Sequence, residues 1–209
     1  MTKDRKTETR DRLAGASVKV FEEHGFHAAR VSDIAEAAGV AKGTFYLYFA
    51  SKEAVFHCLV DDFFGRLMGA TLGRYPSSEV IDRQDLAEQL GDMWHSILTR
   101  CRQEPALTTM ILRESLALGP DAREQVERHF TAVADAITLY FEDLSARGLV
   151  RTGVGAASAW AVLGLLERAI HYAVTIAPDA DTDALAREFL ALELTGFLGA
   201  DPGTTNPDH

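Results

Sequence analysis

Four adjacent pairs of large apolar residues, Val55/Phe56, Leu59/Val60, Phe63/Phe64 and Leu67/Met68, recur every four residues along one stretch of this chain. Only a helix gathers such pairs on one side, because 3.6 residues per turn stack i over i+4 whereas a strand sends neighbours to opposite faces. The pattern predicts a long helix, capped by Ser51 and ended near Tyr75-Pro76. The same spacing recurs upstream. Within 5–24, Leu13, Ala16, Val20 and Phe21 share one helical face, and Gly25 stands where a left-handed cap is wanted. Ser32 is placed to cap a short helix reaching about Ala38, with Gly39 ending it, and another short helix is expected over 42–49. Beyond Pro76, the breakers Glu104-Pro105, Gly119-Pro120, the 148–153 stretch and Pro178-Asp179 leave helices at about 84–103, 106–118, 121–147, 154–177 and 182–199. No alternating strand and no internal repeat is visible, so the expected fold class is all-α. Residues 200–209, rich in Pro, Gly, Thr, Asp and Asn, are expected to be a disordered tail.

The helices have enough apolar material to close a core, with 47% hydrophobic residues and 25% charged. The two cysteines, Cys58 and Cys101, lie far apart and suit a reducing compartment. The first residues carry both signs of charge without the apolar run of a signal peptide. The longest nearly apolar stretch, 156–166, contains Ser158, meets Glu167 and Arg168, and falls well short of the ~20 residues that span a bilayer. A cytoplasmic protein with no membrane partner is expected.

Charge is unevenly spread. Residues 1–60 hold nine Lys/Arg against eight Asp/Glu, whereas the remaining 149 carry a net charge of −11 out of the chain's −10. A field of that sign repels phosphate backbones, so any contact with nucleic acid must be local. The acidic second part also weighs against a strongly anionic ligand there.

One stretch supplies the local contact. In 31–49, VSDIAEAAGVAKGTFYLYF, two short helices joined by a Gly-containing turn have the form of a helix-turn-helix, whose second helix enters the major groove. Ala35 and Ala38 are small enough for close helix approach, Gly39 permits the turn, and Val40 and Phe45 can plug the angle. If Phe45, Tyr48 and Phe49 face inward, Lys42, Gly43, Thr44, Tyr46 and Leu47 remain outside. Lys42 can donate to a guanine edge, Gly43 lets the backbone approach bases, and Leu47 can meet a thymine methyl. Thr44, Tyr46 and Lys52 are suited to phosphates, with Ser32 serving the opposite flank.

Residues 31–49, followed by Ala50-Ser51-Lys52-Glu53 and preceded by Phe21-Glu-Glu-His-Gly25-Phe26, closely resemble the DNA-binding segment of TetR-family bacterial transcriptional regulators. The resemblance implies an amino-terminal three-helix helix-turn-helix DNA-binding domain over 6–66, with its motif at 30–49. It also implies a larger helical ligand-binding and dimerisation domain over 76–199. Such a protein is a homodimer, usually a repressor released from operator DNA by a small molecule. By the same resemblance, Lys42, Gly43 and Leu47 match base-reading positions, while Thr44, Tyr46, Tyr48 and Lys52 match backbone-contacting ones. Ala50 departs from the lysine, glycine or proline common there.

The last two helices mix small and large residues, with Trp160, Gly164 and His171 on one and Leu185, Phe189, Leu192 and Gly196 on the other. Paired with their copies they would make a four-helix seam between two subunits. For a lipophilic effector, the candidate lining is Met93, Trp94, Met110, Arg113, Phe130, Phe141, Trp160 and Tyr172. Gly153-Val-Gly155 lacks the third glycine and the βαβ setting of a dinucleotide loop, and the histidines lack zinc spacing. No Ser-His-Asp or paired-carboxylate grouping stands out from the helical charge pattern, so no cofactor, metal or enzyme activity is expected. The competing reading is a helical small-molecule carrier or enzyme in which the helix-turn-helix only packs.

Overall fold

The computed structural model describes residues 2–114 and 119–198. The expectation of a tail over 200–209 lies outside them. The described residues are helical with no strand, as expected: α1 (Thr2–His24), α2 (Val31–Ala37), α3 (Lys42–Tyr46), α4 (Lys52–Ala70), α5 (Arg83–Gln103), α6 (Pro105–Thr109), α7 (Pro120–Ala146), α8 (Ala156–His171) and α9 (Thr182–Leu198). Among these residues no helix is long and apolar enough to cross a membrane.

The chain forms two packing units, one of residues 1–65 with 104–129, the other of 66–103 with 130–209. The sequence-based ranges 6–66 and 76–199 are contiguous, whereas the packing units are not. α6 packs on α1, and Gln125 of α7 donates to the His57 carbonyl at 2.9 Å and to Asp61 at 2.8 Å on α4. Those bonds tie the start of α7 to the amino-terminal helices.

In the first unit the predicted α1 face is buried throughout, at Leu13, Ala16, Val20 and Phe21, as are Ile34, Phe45, Val55 and Phe56 on the helices that follow. Ser17 lies fully buried among them because its hydroxyl donates to the Leu13 carbonyl at 2.7 Å. In the second unit, Leu86, Leu90, Met93, Tyr140, Phe141 and Leu144 belong to one cluster and Trp94, Leu98, Ala169, Leu185 and Ala186 to another.

Several ends differ from the pattern reading. α4 stops at Ala70, since Gly73 N–H and Thr71 N–H both turn back to the Met68 carbonyl and close the helix early. Instead of running on to 118, α6 gives way at Met110–Glu114 to a π-helical turn. α8 likewise widens at Tyr172–Ile176, where Ala177 N–H reaches back five residues to Tyr172. The loosened carbonyls are collected by Arg102, whose guanidinium donates to Ala173, Ala177 and Ala180 and to the Thr182 hydroxyl at 2.6–3.0 Å. One side chain thereby ends α8 and starts α9.

Candidate nucleic-acid interface

The first unit positions α3 through its two neighbours. α2 begins two residues earlier than expected, with Arg30 at the cap and Ser32 in the first turn. The Asp33 carboxylate accepts from the Arg30 backbone N–H at 3.2 Å and from the Ser32 hydroxyl at 3.1 Å, so Asp33 does the capping assigned to Ser32. At the other end Arg12 of α1 donates to the Ala38 carbonyl. Gly39 then adopts φ +66°, a conformation costly for any residue with a Cβ, and Val40 N–H returns to Ala35 at 2.9 Å. The turn is fixed at both sides.

α3 is shorter than its predicted span. Its regular part ends at Tyr46, and the chain continues through Tyr48 N–H and Phe49 N–H, both bonded to the Phe45 carbonyl at 2.9 and 3.0 Å. Phe45 is fully buried and Phe49 nearly so, their ring centroids 5.9 Å apart, with the Arg10 guanidinium over Phe49 at 5.7 Å. Buried rings hold α3 from beneath.

What remains outside is the predicted face. Lys42 and Gly43 are exposed, Tyr46 is 51% exposed, and Leu47 is 77% exposed. Thr44 and Tyr48 are half-buried on the flanks, and Ser32 is exposed. A leucine left this open beside a lysine and a phenol serves no core in its own unit. It is free to meet an edge that offers methyl groups and acceptors.

Lys52 is used differently. Its ammonium donates to the carbonyls of Phe26 at 2.6 Å, His27 at 3.0 Å and Ala29 at 3.0 Å, and lies 4.8 Å from the Phe26 ring centre. All three donors are engaged by the loop after α1. Lys52 thus ties that loop to the start of α4, where Ser51 Oγ accepts the Ala54 N–H at 3.3 Å.

The candidate effector residues do not gather in one place. Met93 and Phe141 lie in one buried cluster and Trp94 in another, Met110 is buried in the first unit, and Phe130 is half-buried. Trp160 and Tyr172 are 46% and 42% exposed, and the Arg113 side chain lies outside the described residues. None of them lines the cleft of about 820 Å³ in the second unit, between the end of α4 and one face of α5. That cleft escaped the sequence reading because its polar α5 stripe has the pattern of a solvated helix face. Of the proposed seam, Leu185 is buried, Phe189 packs on Trp94 with centroids 5.3 Å apart, and His171 is half-buried. Trp160, Gly164 and Leu192 are exposed, and the Gly196 surroundings are not described.

Residues 13–59 match the family described as bacterial regulatory proteins, tetR family. An uncharacterised HTH-type transcriptional regulator of Bacillus subtilis, YdgC, is 45% identical over 69 residues, which is 33% of this chain and 35% of that protein. The match thus spans about a third of that curated relative. Among solved structures, the fatty acid degradation regulator FadR from Bacillus halodurans is 25% identical, with TM-score 0.77 over 90% of this chain and 95% of its own. The transcriptional regulator FadR from Bacillus subtilis, solved in complex with stearoyl-CoA, is 22% identical, with TM-score 0.71 over 88% and 97%. The turn geometry, the helix order and the match over α1 to α4 agree that residues 13–59 form a segment of the kind found in bacterial regulatory proteins of the tetR family.

Proposed function

We propose that this protein is a homodimeric transcriptional repressor that reads operator DNA with α3 and is released by a small lipophilic effector held in the helical part beyond residue 76. The observation that carries the reading is the exposed set Lys42, Gly43, Tyr46 and Leu47 standing on the buried rings of Phe45 and Phe49. Lys42, Gly43 and Leu47 read base edges. Ser32, Thr44, Tyr46 and Tyr48 contact the sugar-phosphate backbone on either side. Lys52, its donors spent on carbonyls, supports that surface from behind. Exposed Trp160, Gly164 and Leu192 on α8 and α9 supply a self-complementary seam between two copies.

The effector part of the reading is supported by kinship with a regulator solved in complex with stearoyl-CoA. We take α4, which has residues in both packing units, as the carrier of the effector's signal. A ligand that moves α4 changes the separation of the two copies of α3 from the ~34–36 Å of one B-DNA turn, and affinity falls without unfolding.

A gel shift with DNA from upstream of its own gene tests the reading. Specific, palindromic, salt-sensitive binding is the expected result. Absence of specific binding across fragments of the source genome would favour the rival, a helical small-molecule carrier or enzyme whose helix-turn-helix only packs.

A further inference from the structure

The cleft in the second unit has a charge opposite to that of the sequence around it. From α4 and the turn after it come Arg66 and Arg74, and from α5 comes Arg100. The acidic groups of the lining number one, Asp92, and its carboxylate accepts the Tyr75 hydroxyl at 3.1 Å. The Arg74 guanidinium lies over the Tyr75 ring at 5.5 Å, and no carboxylate lies in ion-pair range of Arg74 or Arg100 among the described residues, although the second part of the chain carries a net charge of −11. Two guanidinium groups without a carboxylate partner lining one cleft in so acidic a segment form a local positive field.

The rest of the lining is suited to an anion as well. Asp92, His95, Ser96, Thr99, Arg100 and Gln103 follow the i, i+3, i+4 rule along one face of α5, opposite the buried stripe of Leu90, Met93, Trp94 and Leu98. This face offers the Ser96 hydroxyl and the Gln103 amide as donors beside the Arg100 guanidinium. His95 is held in place by Asp183 at 2.6 Å from Nδ1, and its Nε2 lies 3.3 Å from the Thr99 hydroxyl. On the α4 side the wall is low, with Ala70 and Gly69, and a Cβ built on Gly69 meets nothing within 4 Å. The volume is in the range of small-molecule sites.

We infer that this cleft binds the phosphate groups of a small molecule, with Arg74 and Arg100 as the principal ligands and Arg66, Ser96 and Thr99 completing the shell. Planar guanidinium groups match phosphate oxygens in pairs, which a lone lysine could not do. As an effector site, the cleft rests on the regulator reading above. As a phosphate site it stands on its own lining. The phosphate can belong to a free metabolite or to the head of an amphiphile whose tail enters the apolar interior.

Isothermal titration of the full-length protein with inorganic pyrophosphate and with decyl phosphate, the latter kept below its micelle concentration, tests the inference. One anion per subunit is expected. The Arg74→Gln/Arg100→Gln pair should weaken binding by about tenfold or more, since charge-assisted bonds are lost. Gly69→Phe should block the cleft with no change of charge, and replacing a helical glycine favours the helix, which thermal melts will check. Tighter binding of decyl phosphate identifies an amphiphile, and equal binding identifies a free phosphate. No binding of either anion at millimolar concentration, or equal binding by wild type and both variants, overturns the site. Operator binding measured in parallel separates the two claims: a phosphate that binds without releasing DNA leaves the site standing and removes its effector role.

Discussion

The Trp94 indole N–H donates to Glu193 Oε2 across 2.6 Å, joining α5 to α9 inside the second unit with the carboxylate almost wholly buried. Burial pushes the Glu193 carboxyl up to about 7, with the indole bond opposing it. Tyr140 is pushed up to about 12, by burial first and then by the Glu193 charge, so its phenol stays neutral. α5 and α9 are therefore clasped around one titratable group.

The consequence is a pH-dependent stability with a definite sign. In the unfolded chain this carboxyl titrates near 4.5, and in the folded chain near 7. Below 4.5 both states hold the proton and nothing is lost. As pH rises from 4.5 through 7, the unfolded chain releases the proton first and stability falls by on the order of 3 kcal/mol, the full loss standing above 7. Glu193→Gln keeps an acceptor for the indole and cannot ionise. Urea titrations followed by tryptophan fluorescence should show the variant gaining on the wild type from pH 5 to 8; parallel curves would refute the buried-charge account.

Why this clasp escaped a reading of the sequence is instructive. Glu193 lies in a run of α9 that reads as an ordinary amphipathic helix, and only its meeting with Trp94, ninety-nine residues away, shows that it is buried. The exposed face of α3 was legible because its constraints are local: Gly39 must turn, Phe45 must go in, and Leu47 then has to come out. Lys52 was legible as a cation at a helix start, but not as one already occupied, since its three acceptors lie on a loop more than twenty residues upstream. The α5 stripe carries no local sign for the same reason: a polar helix face becomes a cleft lining only when α4 ends beside it.

Lys42→Ala separates base reading from backbone contact. Its ammonium is exposed at the first position of α3, so its loss should cost about 1 to 3 kcal/mol on the best operator and flatten preference at one base pair. Tyr46→Phe should instead weaken all sequences alike. Competition binding against a library of single-base operator variants distinguishes them; undiminished discrimination by the Lys42 variant would remove it from the base-reading set.

Lys52→Met asks whether that lysine holds the fold or the phosphate. Three carbonyls would lose a charged donor, and the aromatic contact with Phe26 would go too, so a loss of about 1 to 3 kcal/mol is expected in thermal unfolding. The salt dependence of operator binding should not change for the folded fraction. A salt slope reduced by about one with unchanged stability would assign Lys52 to DNA instead.

The proposed seam between subunits is tested by a charge placed where a partner copy is expected. Trp160 is 46% exposed and Leu192 60% exposed, and an added Cβ at Gly164 meets nothing within its own chain. In a two-fold interface each substitution appears twice, so Trp160→Arg buries two unpaired guanidinium groups and removes two aromatic anchors. At about 2 kcal/mol or more for each anchor, the dimer should dissociate at micromolar concentration in sedimentation velocity. Leu139 on α7, 67% exposed, serves as the control, because it is as open as the seam residues but lies on neither α8 nor α9. Leu139→Arg should leave the association unchanged. If it dissociates the protein while Trp160→Arg does not, the two copies meet through α7, and the four-helix pairing of α8 with α9 is wrong.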